Sequence, residues 1–264
     1  MTLAAFADVT VIALDLDGVV YHGRALLPGA DTAVAAFRRR GYAVRFLTNA
    51  SGVSREHIAA KLTRLGVPAS PGDIYTSAMA VSALLTGLGA RLKTACVCGT
   101  SSLAETVREA GARLVTDEPA DALVVGFDEG FTYATLATAL ACAHAETVFI
   151  ASNRDITYPA AGGVLRPGCG PLVAAVECVL RRPADYVAGK PGETMLRMLC
   201  ADLGVTPGQV LMVGDTPESD IAMAKGAGAI GVLCGACRCP EDIAPDYTVA
   251  ALREVPALLS DGNG

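Results

Sequence analysis

Asp15 and Asp17 stand two residues apart, directly after the apolar run Val9-Thr10-Val11-Ile12-Ala13-Leu14. The run reads as a buried strand, so both carboxylates fall where it ends. Within a strand, residues i and i+2 point the same way; past its end the chain can turn, and the two acids can take different jobs. Gly18 permits a backbone path that other residues resist. An Asp after a strand also commonly caps the next helix, and these residues alone do not separate the two readings. Three later segments carry similar chemistry. Thr48 and Asn49 follow the expected strand 42–47, Lys190 follows 185–188, and Asp215 and Asp220 follow 210–213. Carboxylates with one hydroxyl and one lysine make a coherent set for phosphoryl transfer. Mg²⁺ prefers one or two carboxylates plus substrate phosphate. The metal and the lysine offset the phosphoryl charge, which lets an anionic carboxylate approach phosphorus and form an aspartyl-phosphate. Thr48 and nearby backbone N–H groups can hold the phosphoryl oxygens.

The elements that must position these residues alternate. Strands are expected over 9–14, 42–47, 74–76, 94–98, 122–126, 147–151, 185–188, 210–213 and 229–233. Helices are expected over 28–40, 54–65, from 78 onward, and over 101–110, 133–144, 171–180 and 193–203. Another opens at Pro217 and closes at Gly226 and Gly228, and a last one covers about 250–259; residues 158–171 read as a Gly/Pro-rich loop. This alternation predicts an α/β protein with a Rossmann-like, doubly wound parallel sheet, whose ligands bind at the carboxyl ends of the strands. From Asp15 to Thr48 is 48 − 15 = 33 residues, which one helix and one strand consume. From Thr48 to Lys190 is 190 − 48 = 142 residues, far more than the core needs. A smaller α/β cap is therefore expected to be inserted, with the core at 1–78 and 185–264 and the cap at 79–184.

At 264 residues the chain holds one large domain or two ordinary ones. Its net charge is −6 and its pI about 5.1, so a nucleic-acid partner is not expected. Arg38-Arg39-Arg40, the densest basic run, ends a predicted helix, where cations suit the helix dipole. No apolar run is long enough to span a bilayer and the N-terminus lacks a basic signal region, so the expectation is a cytoplasmic protein without a membrane. Nine scattered cysteines read as reduced thiols. Cys234, Cys237 and Cys239 could suggest a metal site, but no second Cys/His pair supports them.

The motifs DLDGVV, LTNAS, GKP and VGDTPESD, in this order, resemble the haloacid dehalogenase-like (HAD) superfamily. With TSAMA and FIASNRD they resemble its class IIA branch of 4-nitrophenyl-, phosphoglycolate, pyridoxal phosphate and nucleotide phosphatases. The resemblance implies Asp15 as nucleophile and Asp17 as general acid, then base. It implies Mg²⁺ held by Asp15, the backbone carbonyl of Asp17, and Asp215. Thr48 and Lys190 would bind the phosphoryl group, with Asn49 beside them, and Asp220 would support the metal or Lys190 from behind. Asp220 also reads as a first-turn helix acid. A dehalogenase releases halide without a proton and needs no second acid, so Asp17 favours a phosphate ester. The class IIA cap stands between the second and third motifs; over the strand ends it would exclude water and admit small substrates. In the cap, residues 152–155, including Asn153, and residues 168–170 either face the substrate or are ordinary turns. His22 reads as lining the site or packing, since Asp17 already fills the acid/base role. The expected partner is a small phosphate ester, and a homodimer through the cap is compatible with the resemblance. A phosphomutase, a non-catalytic phosphometabolite sensor and a response-regulator receiver stand as alternatives.

Overall fold

The structure, a computed structural model, describes residues 6–89, 91–159 and 164–259. The chain forms two compact units. The first takes in the residues up to Thr48, Arg55–Tyr75 and the chain from Leu196 onward; the second takes in Asn49–Ser54 and Thr76–Met195.

The first unit is built on a six-stranded sheet, in the order Tyr247–Val249, Ile230–Cys234, Val210–Gly214, Val11–Leu14, Ala43–Thr48 and Ile74–Thr76. The pairings that flank Val11–Leu14 are parallel, with Leu14 level with Val213 on one side and Phe46 on the other. Val11–Leu14 is apolar throughout and buried throughout, as a strand covered on both faces must be. Helix Ala30–Arg39 buries Ala30, Ala33, Val34 and Phe37, spaced three and four apart along one face. The basic run at its end serves the fold: Arg38 donates to the Pro68 carbonyl at 2.6 Å and Arg40 to the Pro256 carbonyl at 2.5 Å.

The second unit has a five-stranded parallel sheet, in the order Tyr186–Val187, Val148–Ala151, Ala122–Val125, Thr94–Cys98 and Arg113–Leu114. Helices Tyr133–Cys142 and Cys169–Leu180 bury Ala139, Cys142, Cys169, Val173 and Val176 in the cluster that holds Cys96, Cys98, Leu123 and Phe149. Parallel sheets flanked by helices make the protein α/β, as expected.

Several elements differ from the expectation. Residues 185–188 were expected in the core, but Tyr186–Val187 pairs with Val148–Ala151 in the second sheet. The Gly189 and Ala188 amides continue that ladder by donating to Ser152 and Ala151. The unit boundaries therefore fall after Thr48, Ser54, Tyr75 and Met195, not at 78/79 and 184/185. The loop expected over 158–171 contains strands Thr157–Pro159 and Leu165–Pro167, paired antiparallel, and the next helix already starts at Cys169; residues 160–163 lie outside the described residues. The terminal helix is a 3₁₀ turn, Leu252–Glu254, followed by the single turn Val255–Leu258. The hairpin Tyr21–His22/Ala25–Leu26 has strands too short to leave a periodic pattern. Among the described residues no helix is long and apolar enough to cross a membrane.

Candidate active site

The carboxyl ends of the central strands of the first unit carry the acids. The Asp15 amide donates to the Val213 carbonyl at 2.9 Å, so Asp15 extends the ladder one residue beyond Leu14 and comes level with Gly214. Asp215 follows at once, and Thr48 ends the strand on the other side. Asp15, Asp215 and Asp220 each offer one carboxylate oxygen, all within 4.8 Å of one another. Among the described residues this is the one group of three or more His, Cys, Asp or Glu side chains close enough to hold a metal ion. Asp15 and Asp220 are buried. Converging carboxylates, two of them buried and Asp215 partly so, are the donor set of a hard divalent cation, and Mg²⁺ fits them.

Local backbone explains the convergence. Gly18 has φ of +91° and lies so close to Asp215 that a Cβ there would come within 2.0 Å of Oδ2. Only glycine lets the chain turn this way and still admit that carboxylate. The segment Pro217–Ile221 is a π-helical turn, and Asp220 Oδ2 accepts the Thr216 amide at 3.1 Å. Asp220 thus closes its own turn while standing beside Asp15 and Asp215.

Asp17 keeps different company. Its Oδ1 is buried, and His22 Nδ1 stands 3.3 Å away without the alignment of a full hydrogen bond. Burial pushes the Asp17 carboxyl above the usual carboxylate range, against the pull of His22, Lys61 and a backbone bond from Gly23. Lys61 is held down by burial and raised again by Asp17. A carboxyl biased toward its protonated form suits a proton donor.

The remaining expected site residues lie in the second unit. Asn49 clasps the backbone of Lys190: its Oδ1 accepts the Lys190 amide at 2.9 Å, and its Nδ2 donates to the Lys190 carbonyl at 3.1 Å and to Asp155 Oδ1 at 2.9 Å. The Asn49 carbonyl in turn accepts from Asn153 Nδ2 at 3.0 Å and Ser77 Oγ at 2.8 Å. Asn153 is buried, and its Oδ1 accepts the Asp155 amide at 3.1 Å. The side-chain amides of Asn49 and Asn153 are therefore engaged with main chain and with neighbouring polar side chains. Lys190 is 3% exposed. Of residues 168–170, Cys169 is buried beside Ser152, 3.4 Å from its hydroxyl. Cys234 is buried and pushed up to about 11 by burial, Asp215 and Glu254, while Cys237 is exposed; with Cys239 they form no metal-holding group. His22 reads from the sequence as lining the site or packing, and it stands 3.3 Å from Asp17 Oδ1. It precedes the glycine of a hairpin and has no motif of its own, so only its distance to Asp17 singles it out.

A family model described as haloacid dehalogenase-like hydrolase matches residues 12–113, and a second, HAD-hydrolase-like, matches 187–255. The chain is 31% identical over 256 residues to the sugar-phosphatase AraL of Bacillus subtilis, covering 95% of this chain and 93% of that protein. It is 32% identical over 278 residues to human chronophin, at the same coverage of 95% and 93%. The 4-nitrophenylphosphatase of Thermotoga maritima superposes with a TM-score of 0.86 at 25% identity, covering 98% of this chain and all of the other. A glycerol phosphate phosphatase of Mycobacterium tuberculosis, solved in complex with magnesium, superposes with a TM-score of 0.85 at 29% identity, covering 97% of this chain and 80% of that one.

Proposed function

Since this chain belongs to the haloacid dehalogenase-like hydrolases, and within them to the class IIA phosphatases, we propose that it hydrolyses a small-molecule phosphomonoester with Mg²⁺ through an aspartyl-phosphate on Asp15. The observation that carries this reading is the convergence of Asp15, Asp215 and Asp220, with Asp17 two residues from Asp15 in separate surroundings. A carboxylate of Asp15 attacks phosphorus as the ester P–O bond breaks. The Asp17 carboxyl gives its proton to the departing alcohol oxygen. Asp17, now a carboxylate, takes a proton from water; the water oxygen attacks phosphorus, the bond to Asp15 breaks, and inorganic phosphate leaves. Mg²⁺ would be held by Asp15, Asp215 and the backbone carbonyl of Asp17, with Asp220 behind them, and would offset the charge of the phosphoryl group and its anionic nucleophile. Thr48 and Lys190 are assigned to the phosphoryl oxygens by the motifs in which they stand. Asn49 takes the part of holding the Lys190 main chain and Asn153 that of holding the Asn49 carbonyl, roles their hydrogen bonds support over direct contact with phosphate. The relatives act on sugar phosphates, glycerol phosphate and 4-nitrophenyl phosphate by name, which supports a small ester as the substrate class.

The test is phosphate release from 4-nitrophenyl phosphate, phosphoglycolate, pyridoxal phosphate, nucleoside monophosphates and sugar phosphates, with Mg²⁺ and with EDTA. Release that EDTA stops and excess Mg²⁺ restores supports the reading, and ratios of kcat/KM rank the substrates. Asp15→Asn should lower turnover by about 10³-fold or more while leaving the protein folded, because an amide neither attacks phosphorus nor binds Mg²⁺ well. Turnover of that variant at the wild-type rate would remove the mechanism.

A further inference from the structure

Two basic side chains flank Asp17, and the reaction as described gives neither a task. His22 Nδ1 is 3.3 Å from Asp17 Oδ1. Lys61, on helix Arg55–Arg64, holds its Nζ 3.4 Å from the centroid of the Tyr21 ring, and its charge is felt at Asp17. The hairpin that carries His22 is tied to the turn that carries Asp17. The Gly18 amide donates to the Tyr21 carbonyl at 2.8 Å, and the Tyr21 amide donates to the Leu16 carbonyl at 3.1 Å. Asp17 and Tyr21 also form an isolated bridge, and Tyr21 is buried. Main chain therefore determines where His22 stands relative to Asp17. The imidazole is 56% exposed, so filling the core does not account for its position. Asp17 Oδ1 is sealed from solvent with no aligned donor, a state that costs free energy unless a nearby polar group meets it.

We infer that His22 is a positioning residue for the reaction: its Nδ1 edge, beside Oδ1, orients the Asp17 carboxyl that delivers and retrieves the proton at the leaving-group oxygen. The inference rests on Asp17 being the acid and base of the proposed phosphatase. Proton donation matters in proportion to how poorly the alcohol leaves. A phenolate such as 4-nitrophenolate departs readily without a proton, whereas an alkoxide must be protonated as the P–O bond breaks. Disorienting Asp17 must therefore slow alkyl esters more than aryl esters. A histidine that only supported the hairpin would affect both alike.

The experiment measures kcat/KM, which reports the transfer to Asp15, on 4-nitrophenyl phosphate and on an alkyl phosphate such as glycerol phosphate. It compares wild type with His22→Ala, His22→Asn and Asp17→Asn, each checked for its melting temperature. The expected result for His22→Ala is a loss on the alkyl ester about tenfold greater than on the aryl ester, a fraction of the 10²–10⁴ that a general acid contributes. His22→Asn, whose amide nitrogen takes the place of Nδ1, should recover most of that difference. Equal losses on the two esters, no loss on either, or an asparagine variant no better than alanine would overturn the inference. Asp17→Asn separates the inference from its premise. If it is crippled on the alkyl ester while His22→Ala shows no ester dependence, only the role of His22 falls. If Asp17→Asn hydrolyses the alkyl ester at the wild-type rate, the acid/base reading of Asp17 falls with it.

Discussion

Asp15 and Asp17 are two residues apart, yet their carboxylates are in different surroundings. Asp15 joins Asp215 and Asp220, while Asp17 faces His22. The divergence begins between them, where the chain bends at Leu16 ahead of the turn at Gly18, whose φ is +91°. The same glycine leaves the space that Asp215 occupies, so Gly18→Ala strikes the site twice: a Cβ would meet Asp215 Oδ2 at 2.0 Å, and φ would be strained. Displacing one carboxylate of a metal cluster should weaken Mg²⁺ binding by about 10–100-fold. Titration calorimetry with Mg²⁺ reads this without any turnover, and an unchanged affinity would separate Asp215 from the metal.

At the scale of elements, the second unit shows how a short segment is held by side chains. Gly189 lies where a Cβ would come 2.5 Å from Asn49 Oδ1, 2.7 Å from the Ser152 carbonyl and 2.7 Å from Ser77 Cβ. Gly189→Ala forces these apart and should destabilise the protein by about 1–3 kcal/mol, seen as a lower urea midpoint. A second clamp joins the loop after Val148–Ala151 to helix Cys169–Leu180. Glu177 pairs with Arg154 and accepts the Ala184 amide at 2.8 Å. The Arg154 guanidinium, with that amide, holds the Glu177 carboxyl below its usual 4.5. A carboxyl depressed in the folded state adds stability that is complete above the unfolded value and is lost as pH falls through the folded one. Unfolding midpoints measured from pH 7 to pH 3 should therefore fall less steeply at the acid end in Glu177→Gln than in wild type. Parallel curves would mean that the pair contributes nothing to the pH dependence.

Over the whole molecule, the nine cysteines are all free: six are buried, Cys239 is intermediate, and Cys178 and Cys237 are exposed. Four of the buried thiols, Cys96, Cys98, Cys142 and Cys169, sit in one hydrophobic cluster of the second unit, where small apolar side chains suit close-packed strands and helices. A thiol reagent added to native protein should modify Cys178 and Cys237 quickly, and the buried six only on unfolding. Rapid modification of all nine without denaturant would contradict this packing.

Sequence alone determined the repeating strand–helix order and the placement of the acids at strand ends, because both follow from local rules: the period of apolar residues and the residue types that stop a strand. The helices at Ala30–Arg39, Arg55–Arg64 and Ser101–Glu109 lie within the ranges that periodicity and capping indicate. The motif order also carried the family, since several short signals in sequence are far more specific than any one of them. Tertiary structure decided what depends on partners distant along the chain. Residues 185–188 read equally well in either sheet, and only their pairing with Val148–Ala151 assigns them. Asn49 is a residue type that can meet phosphate, and only the structure shows its amide spanning 141 residues to bond the Lys190 main chain. The two-residue strands of the Tyr21–Leu26 hairpin carry too few residues for periodicity, so the placement of His22 beside Asp17 is legible only in three dimensions. Hydrogen-bond partners and electrostatic neighbours are properties of the folded surroundings, and a residue's type limits which it can take without choosing among them.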